Sequence, residues 1–177
     1  MWLVGIFSLI SVSNAQRGSF RIGVGPQLGV LSEEIGYGGV LNIDLDINGK
    51  QKSYLGMEVG VVQWTKSNSY GSSLLAALSF MPSFVYVMEQ PNSDILPYGG
   101  FLVGGAIGRE IVDAEMSFLG EDISISRNER YYWLNGFIRT GILTRVNDRV
   151  SGFVESRFGV LDEQFVAHVA TGLLLNL

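Results

Sequence analysis

The chain holds one histidine, His168, and no cysteine, so thiolate chemistry is excluded and any imidazole base must be this ring. A hydrolase would need a nucleophile and an orienting carboxylate within reach of it. Two residues beyond His168 stands Ala170 where a serine would be wanted, and no Gly-x-Ser-x-Gly elbow occurs. Strand parity carries Glu110 toward the same end as His168, but a lone imidazole without a nucleophile is no catalyst. Glu33-Glu34, Asp113 with Glu115, and Glu121-Asp122 lack a ligand-spaced partner set and read as solvated acids rather than a metal site. Gly23-Val24-Gly25 and Gly104-Gly105 lack the strand-to-helix setting of a phosphate loop. The expectation is therefore no enzyme, no cofactor and no metal. What remains is a set of charges inside otherwise apolar segments: Arg21, Asp44, Asp46, Glu58, Arg139, Arg145, Glu155 and Arg157. Such charges can pair into a plug or gate a polar path.

The elements that must position them have a period of two. From Phe20 to Val30, Phe20, Ile22, Val24, Pro26, Leu28 and Val30 alternate with Arg21, Gly23, Gly25, Gln27 and Gly29. Leu41, Ile43, Leu45 and Ile47 alternate with Asn42, Asp44 and Asp46, and the pattern returns from Phe165 to Leu177. These are strands with two unlike faces. Such segments of about ten residues, separated by turns, are the signature of a transmembrane β-barrel. The same parity predicts eight strands in one domain, near 20–31, 38–48, 53–66, 74–88, 97–112, 131–146, 150–160 and 165–177. Asn48-Gly49-Lys50 and Asn147-Asp148-Arg149 are tight-turn chemistry. Residues 32–37, 66–73 and 112–130 are expected as longer polar loops at the opposite end. Outer-membrane barrels place short turns in the periplasm and long loops outside, so both termini are expected to be periplasmic.

Composition agrees with this class. Of 177 residues, 47% are hydrophobic and only 16% are charged, a balance natural to a lipid-facing barrel. No apolar stretch of about 18 residues is free of breakers, which argues against a membrane helix. A net charge of −5 gives phosphate backbones nothing to bind, so nucleic acid is excluded as a partner. Residues 1–15 carry no charge and run from an apolar stretch, Trp2 to Ile10, into Ser13-Asn14-Ala15. They are expected to be a secretory signal peptide, with residues 16–177 as the barrel domain.

Parity alone leaves two arrangements. A soluble lipocalin-like barrel turns the apolar set inward around a ligand, and a membrane barrel turns it outward. The polar face holds Gly23, Gly25, Gly29, Gly56, Gly60, Gly100, Gly104, Gly141, Gly159 and Gly172, which suit a narrow interior and would weaken a solvent-facing surface. Aromatics gather at strand ends: Phe20, Tyr54, Tyr86 and Tyr98 at the turn side, Trp64, Tyr70, Tyr131, Tyr132, Trp133 and Phe165 at the loop side. Two membrane-interface belts are expected from them, although strict parity points Tyr54, Trp64, Tyr98, Tyr131 and Trp133 inward.

The segments 78–86 (LSFMPSFVY) and 97–108 (PYGGFLVGGAIG) resemble the central hairpin of small outer-membrane β-barrel proteins, the OmpA/OmpX-like and PorT-like group, and 153–161 (FVESRFGVL) is similar to their seventh strand. The resemblance covers essentially all of residues 16–177. It implies an eight-stranded antiparallel up-and-down barrel in the outer membrane of a Gram-negative-type bacterium. Its implied partners are outer-membrane lipid, the barrel-assembly machinery during insertion, and an extracellular partner reached through the loops.

Inside such a barrel, parity places Glu58, Arg139, Glu155 and Arg157 at mid-depth, with Arg21, Asp44, Asp46 and Arg145 nearer the turn end. Antiparallel pairing about Asp148 sets Arg139 beside Arg157, two like charges that require Glu58 and Glu155 as neighbours. A structural or surface-interaction barrel with a charged plug is the leading expectation, because eight strands leave little room for a channel. A small porin for ions or solutes is the alternative; a barrel-type lipid hydrolase and a soluble lipocalin-like binder follow behind.

Overall fold

The computed structural model describes residues 20–31, 34–50, 52–68, 71–90, 93–118, 121–161 and 164–177, with side chains described for all of these except 67, 68, 71, 114–118 and 121–125. The expected signal segment 1–15 and Tyr70 lie outside the described residues. Eight strands follow one another: β1 (Phe20–Leu31), β2 (Glu34–Asp46), β3 (Ser53–Asn68), β4 (Gly71–Val87), β5 (Ile95–Phe118), β6 (Glu121–Arg145), β7 (Val150–Leu161) and β8 (Gln164–Asn176). Each is antiparallel to the next, and β8 returns to β1, so the sheet closes into the expected eight-stranded up-and-down barrel.

The two tight turns form as their residue types dictate. Asp46 Oδ1 accepts the amides of Asn48 and Gly49, each at 3.1 Å, and Gly49 takes a left-handed φ of 66°. Asn147 Oδ1 likewise accepts the amides of Arg149 and Val150, each at 2.9 Å. These turns fix register. Arg139 stands opposite Arg157, as pairing about Asp148 requires.

The opposite end differs from expectation. Instead of polar loops at 66–73 and 112–130, the β3–β4 ladder continues to Asn68 and Gly71, and the β5–β6 ladder to Phe118 and Glu121. Residues 32–37 likewise contain the start of β2 at Glu34. The alternating pattern reports that the two faces of the wall meet different surroundings, whereas the ladder is made by backbone N–H and C=O groups. Above the wall the pattern ends and the ladder need not. Because β7 pairs with β6 only along Asn135–Arg145, the upper part of β6 rises beyond the barrel wall.

Three prolines sit within strands, Pro26, Pro82 and Pro97, and the first two each interrupt the ladder on one side. No β1–β8 pair forms at Gly25-Pro26, nor any β4–β5 pair at Met81-Pro82, because proline has no amide hydrogen to give.

The faces divide as the glycine argument predicts. Val24, Leu28, Leu41, Ile43, Phe101, Val103, Ile138 and Leu173 point out and are exposed. Inside, two apolar clusters fill the lumen. The loop-end cluster centres on Val62, Trp64, Met81, Leu102, Phe137 and Val166, and the turn-end cluster on Tyr54, Val85, Tyr98, Phe153 and Leu174.

Candidate functional site

Between these clusters lies a layer of charge built by strands from opposite sides of the barrel. β3 supplies Glu58, β6 supplies Arg139, and β7 supplies Glu155 and Arg157, two residues apart and therefore on one face. All four are buried, Glu58 at 0% exposure and Arg157 at 1%. The Arg157 guanidinium bridges the layer. Its Nε donates to Glu155 Oε1 at 2.6 Å, its Nη2 reaches the same oxygen, and its Nη1 donates to Glu58 Oε1 and to Gln27 Oε1, the latter at 3.4 Å. Arg139 Nη1 lies 3.5 Å from Glu58 Oε2 and 3.9 Å from Glu155 Oε2.

Two carboxylates and two guanidiniums sum to zero, which is what makes the burial tolerable: an isolated charge here would meet no water. Neutral groups hold the layer in place. Tyr98 donates its hydroxyl to Glu155 Oε2 at 2.6 Å, and Gln27 Nε2 donates to the carbonyls of Val61 and Gly39 at 3.2 and 3.3 Å. Little space is left. The void on the loop side, beside Arg157 and His168, is about 20 Å³, and that on the turn side, beside Arg139 and Glu155, about 10 Å³. One water needs about 10–15 Å³ on this measure, so each void has room for about one water. Further toward the turns the lumen opens into a cavity of about 1060 Å³.

The other charges of the expected set have separate tasks. Arg21 Nε pairs with Asp44 Oδ2 at 2.9 Å while its guanidinium lies 3.5 Å over the Tyr54 ring, a second and smaller ion pair toward the turns. Asp46 is buried and caps the β2–β3 turn. Arg145 shares a face of β6 with buried Leu143 and lines the wide cavity at its mouth, where it is exposed.

His168 points inward as parity requires. Its ring stacks on Phe137 at 5.3 Å and stands 6.3 Å from Trp64, and neither ring nitrogen has a hydrogen-bond partner among the described residues. Glu110 is not its neighbour; it accepts from Tyr131 instead. Among the described residues no three histidines or acids come together as a metal-binding group. Tyr54, Trp64 and Tyr98 are buried lumen residues rather than members of an interface belt, and Trp133 packs against the loop-end cluster. Tyr37, Tyr86, Tyr132 and Phe165 do face outward.

The lumen residues that residue-type reasoning missed are the Tyr98 clamp and the apolar plugs around Leu102, while Gln27 was read only as a member of the polar face. The signal for the first two was present in the parity of β5, where Tyr98, Leu102 and Ala106 share a phase with Gly100 and Gly104.

Neisserial surface protein A (NspA) superimposes with a TM-score of 0.59 and 14% identity, over 89% of this chain and 96% of that one. Ail, the attachment invasion locus protein of Yersinia pestis, in complex with the heparin analogue sucrose octasulfate, gives 0.58 and 14%, over 90% and 99%. Ail is an outer membrane protein. The chain has the fold of the small outer-membrane β-barrels. No family model and no curated protein matches the sequence. At such identity the likeness speaks for the barrel and leaves each lumen residue to be argued from this chain alone.

Proposed function

We propose that this chain is an integral outer-membrane barrel of structural or surface-interaction type, its lumen stopped by the Glu58–Arg139–Glu155–Arg157 layer. The observation that carries the reading is the inverted polarity of the wall: charge is paired and buried inside, while Val103, Ile138 and Leu173 stand exposed outside. Only a surrounding apolar solvent makes that arrangement favourable. In this reading the short turns lie in the periplasm, the barrel-assembly machinery inserts the chain, and the β3–β4 and β5–β6 hairpins rise from a Gram-negative cell surface, available to an extracellular partner. Catalysis is no part of it, since the one imidazole is packed between aromatic rings.

The folded protein should be heat-modifiable on detergent gels and should fractionate with the outer membrane. Protease added to intact cells should cut the β5–β6 hairpin within 112–130 and spare Asn48-Gly49; recovery in the soluble periplasm would end the reading. In planar bilayers the stopped lumen should give little steady conductance. Sustained current that Glu155→Ala alters, without loss of fold, would instead support a gated pore for ions or small solutes.

A further inference from the structure

Four outward residues form one continuous row across the wall: Val61 of β3 pairs with Leu78 of β4, Leu78 with Ile107 of β5, and Ile107 with Tyr132 of β6. All four are exposed, and they line an open groove of about 420 Å³. One row nearer the loop end, Arg109 stands directly opposite Arg130, and both line the same groove. Like charges facing each other across a ladder destabilise it. Among the described residues neither arginine has an ion-pair partner. Glu110 and Glu129, their neighbours in sequence, leave on the opposite face and accept from Tyr131. Asp113, the nearest acid of β5 on their own face, stands two outward positions further along the strand, about 13 Å away. Asn128 Oδ1 takes the Nε of Arg109 at 3.0 Å, which orients that guanidinium and leaves its amino groups for another acceptor.

Depth supplies the second argument. The outward positions of β5 from Ile95 to Ile107 carry no charge. At about 3.4 Å per residue and a strand tilt near 40°, they span roughly 30 Å along the membrane normal, the thickness of a hydrocarbon core with its margins. Arg109 and Arg130 are the first charges above that band, at the level of lipid headgroups. We propose that they bind the phosphomonoester of an outer-leaflet lipid whose acyl chain lies in the Val61–Leu78–Ile107–Tyr132 groove. A phosphomonoester carries charge enough for both guanidiniums and oxygens enough for forked hydrogen bonds. A zwitterionic headgroup brings its own cation and would compete poorly. The inference rests on the membrane reading above.

The test uses the folded chain inserted into phosphatidylcholine vesicles containing a minor fraction of phosphatidic acid, then extracted in mild detergent, with retained lipid counted by native mass spectrometry. Wild type should retain phosphatidic acid in preference to phosphatidylcholine. R109Q/R130Q should weaken retention by about tenfold per arginine lost. R149Q, which removes one arginine at the β6–β7 turn, should retain it fully, and R130K, which keeps charge without the fork, should lose several-fold. Equal retention by wild type and R109Q/R130Q, an equal loss in R149Q, or displacement of the lipid by inorganic phosphate overturns the site. Wild type that inserts, by its heat-dependent gel shift, yet shows no lipid preference overturns this inference alone. Wild type that does not insert overturns the membrane reading with it.

Discussion

Glu155 and Val154 are adjacent on β7, yet one is 2% exposed and the other 49%. The same contrast holds on β5 between Leu102, at 0%, and Val103, at 59%. In a soluble barrel the apolar member of the first pair would be buried and the charged one wet. Here a single step along the chain exchanges two solvents, and the inner one is not water. The inner face is held by specific partners, Arg157 to Glu58 and Glu155, and Tyr98 to Glu155. The outer face is held by fewer and weaker partners, such as Phe84 stacked on Phe101, and suits an apolar surrounding. A change inside should therefore be costly in any solvent, and a change outside costly only in lipid.

The strongest way to break that comparison is Glu155→Ala. It leaves two buried arginines to share the single carboxylate of Glu58 and should lower stability by about 3–5 kcal/mol, measured as denaturant unfolding of the inserted barrel. Unchanged stability would mean that the layer is wet. Next comes Val103→Arg on the outer face, expected to cost roughly 2–4 kcal/mol in lipid and far less in detergent. If Val103→Cys labels readily with a water-soluble thiol reagent in membranes, the outer face is not where lipid lies.

A smaller effect separates two adjacent glycines. A Cβ on Gly104 would run into the backbone of Phe80 and Met81, whereas one on Gly105 meets only the Trp133 carbonyl at 3.6 Å. Gly104→Ala should cost about 1–3 kcal/mol through crowding. Gly105→Ala should stay within about 0.5 kcal/mol.

The least effect is expected above the wall, in the β5–β6 extension. There the Tyr131 hydroxyl and then Arg127 hold the Glu129 carboxyl below its ordinary range. A carboxyl lowered by folding stabilises the folded state above the usual glutamate range, and that contribution is lost as pH falls through the lowered value. Tyr131→Phe should move Glu129 back up, visible by carbon-13 NMR of the carboxyl, without a measurable change in barrel unfolding.

How much of this was legible in the residues depends on what each feature rests on. The alternation from Phe20 to Val30 announces two faces, and the glycines on the polar face announce which is inside, because side-chain bulk must suit a narrow lumen. The turn at Asn147-Asp148-Arg149 fixes register, so the Arg139–Arg157 juxtaposition follows by counting. By contrast, β5 and β6 continue to Phe118 and Glu121 where residue pattern predicted loop, since a ladder above the wall leaves no apolar signature. Trp64 was read as a belt residue because aromatic type suggests an interface. Its parity was the better guide, and it is 2% exposed in the lumen.

The sequence by itself determined the class, the strand count, the inward set and the pairing across the tight turns, because all of these are local: period two, turn chemistry, and the distance between residues counted along one hairpin. Only the tertiary structure decided that Glu58 of β3 meets Arg157 of β7 and that Gln27 of β1 and Tyr98 of β5 steady them. Those contacts cross the lumen between strands far apart in the chain, and closure of the barrel is what brings them together. The same holds for the groove beneath Arg109 and Arg130, a surface assembled from four strands that no single segment of the chain encodes.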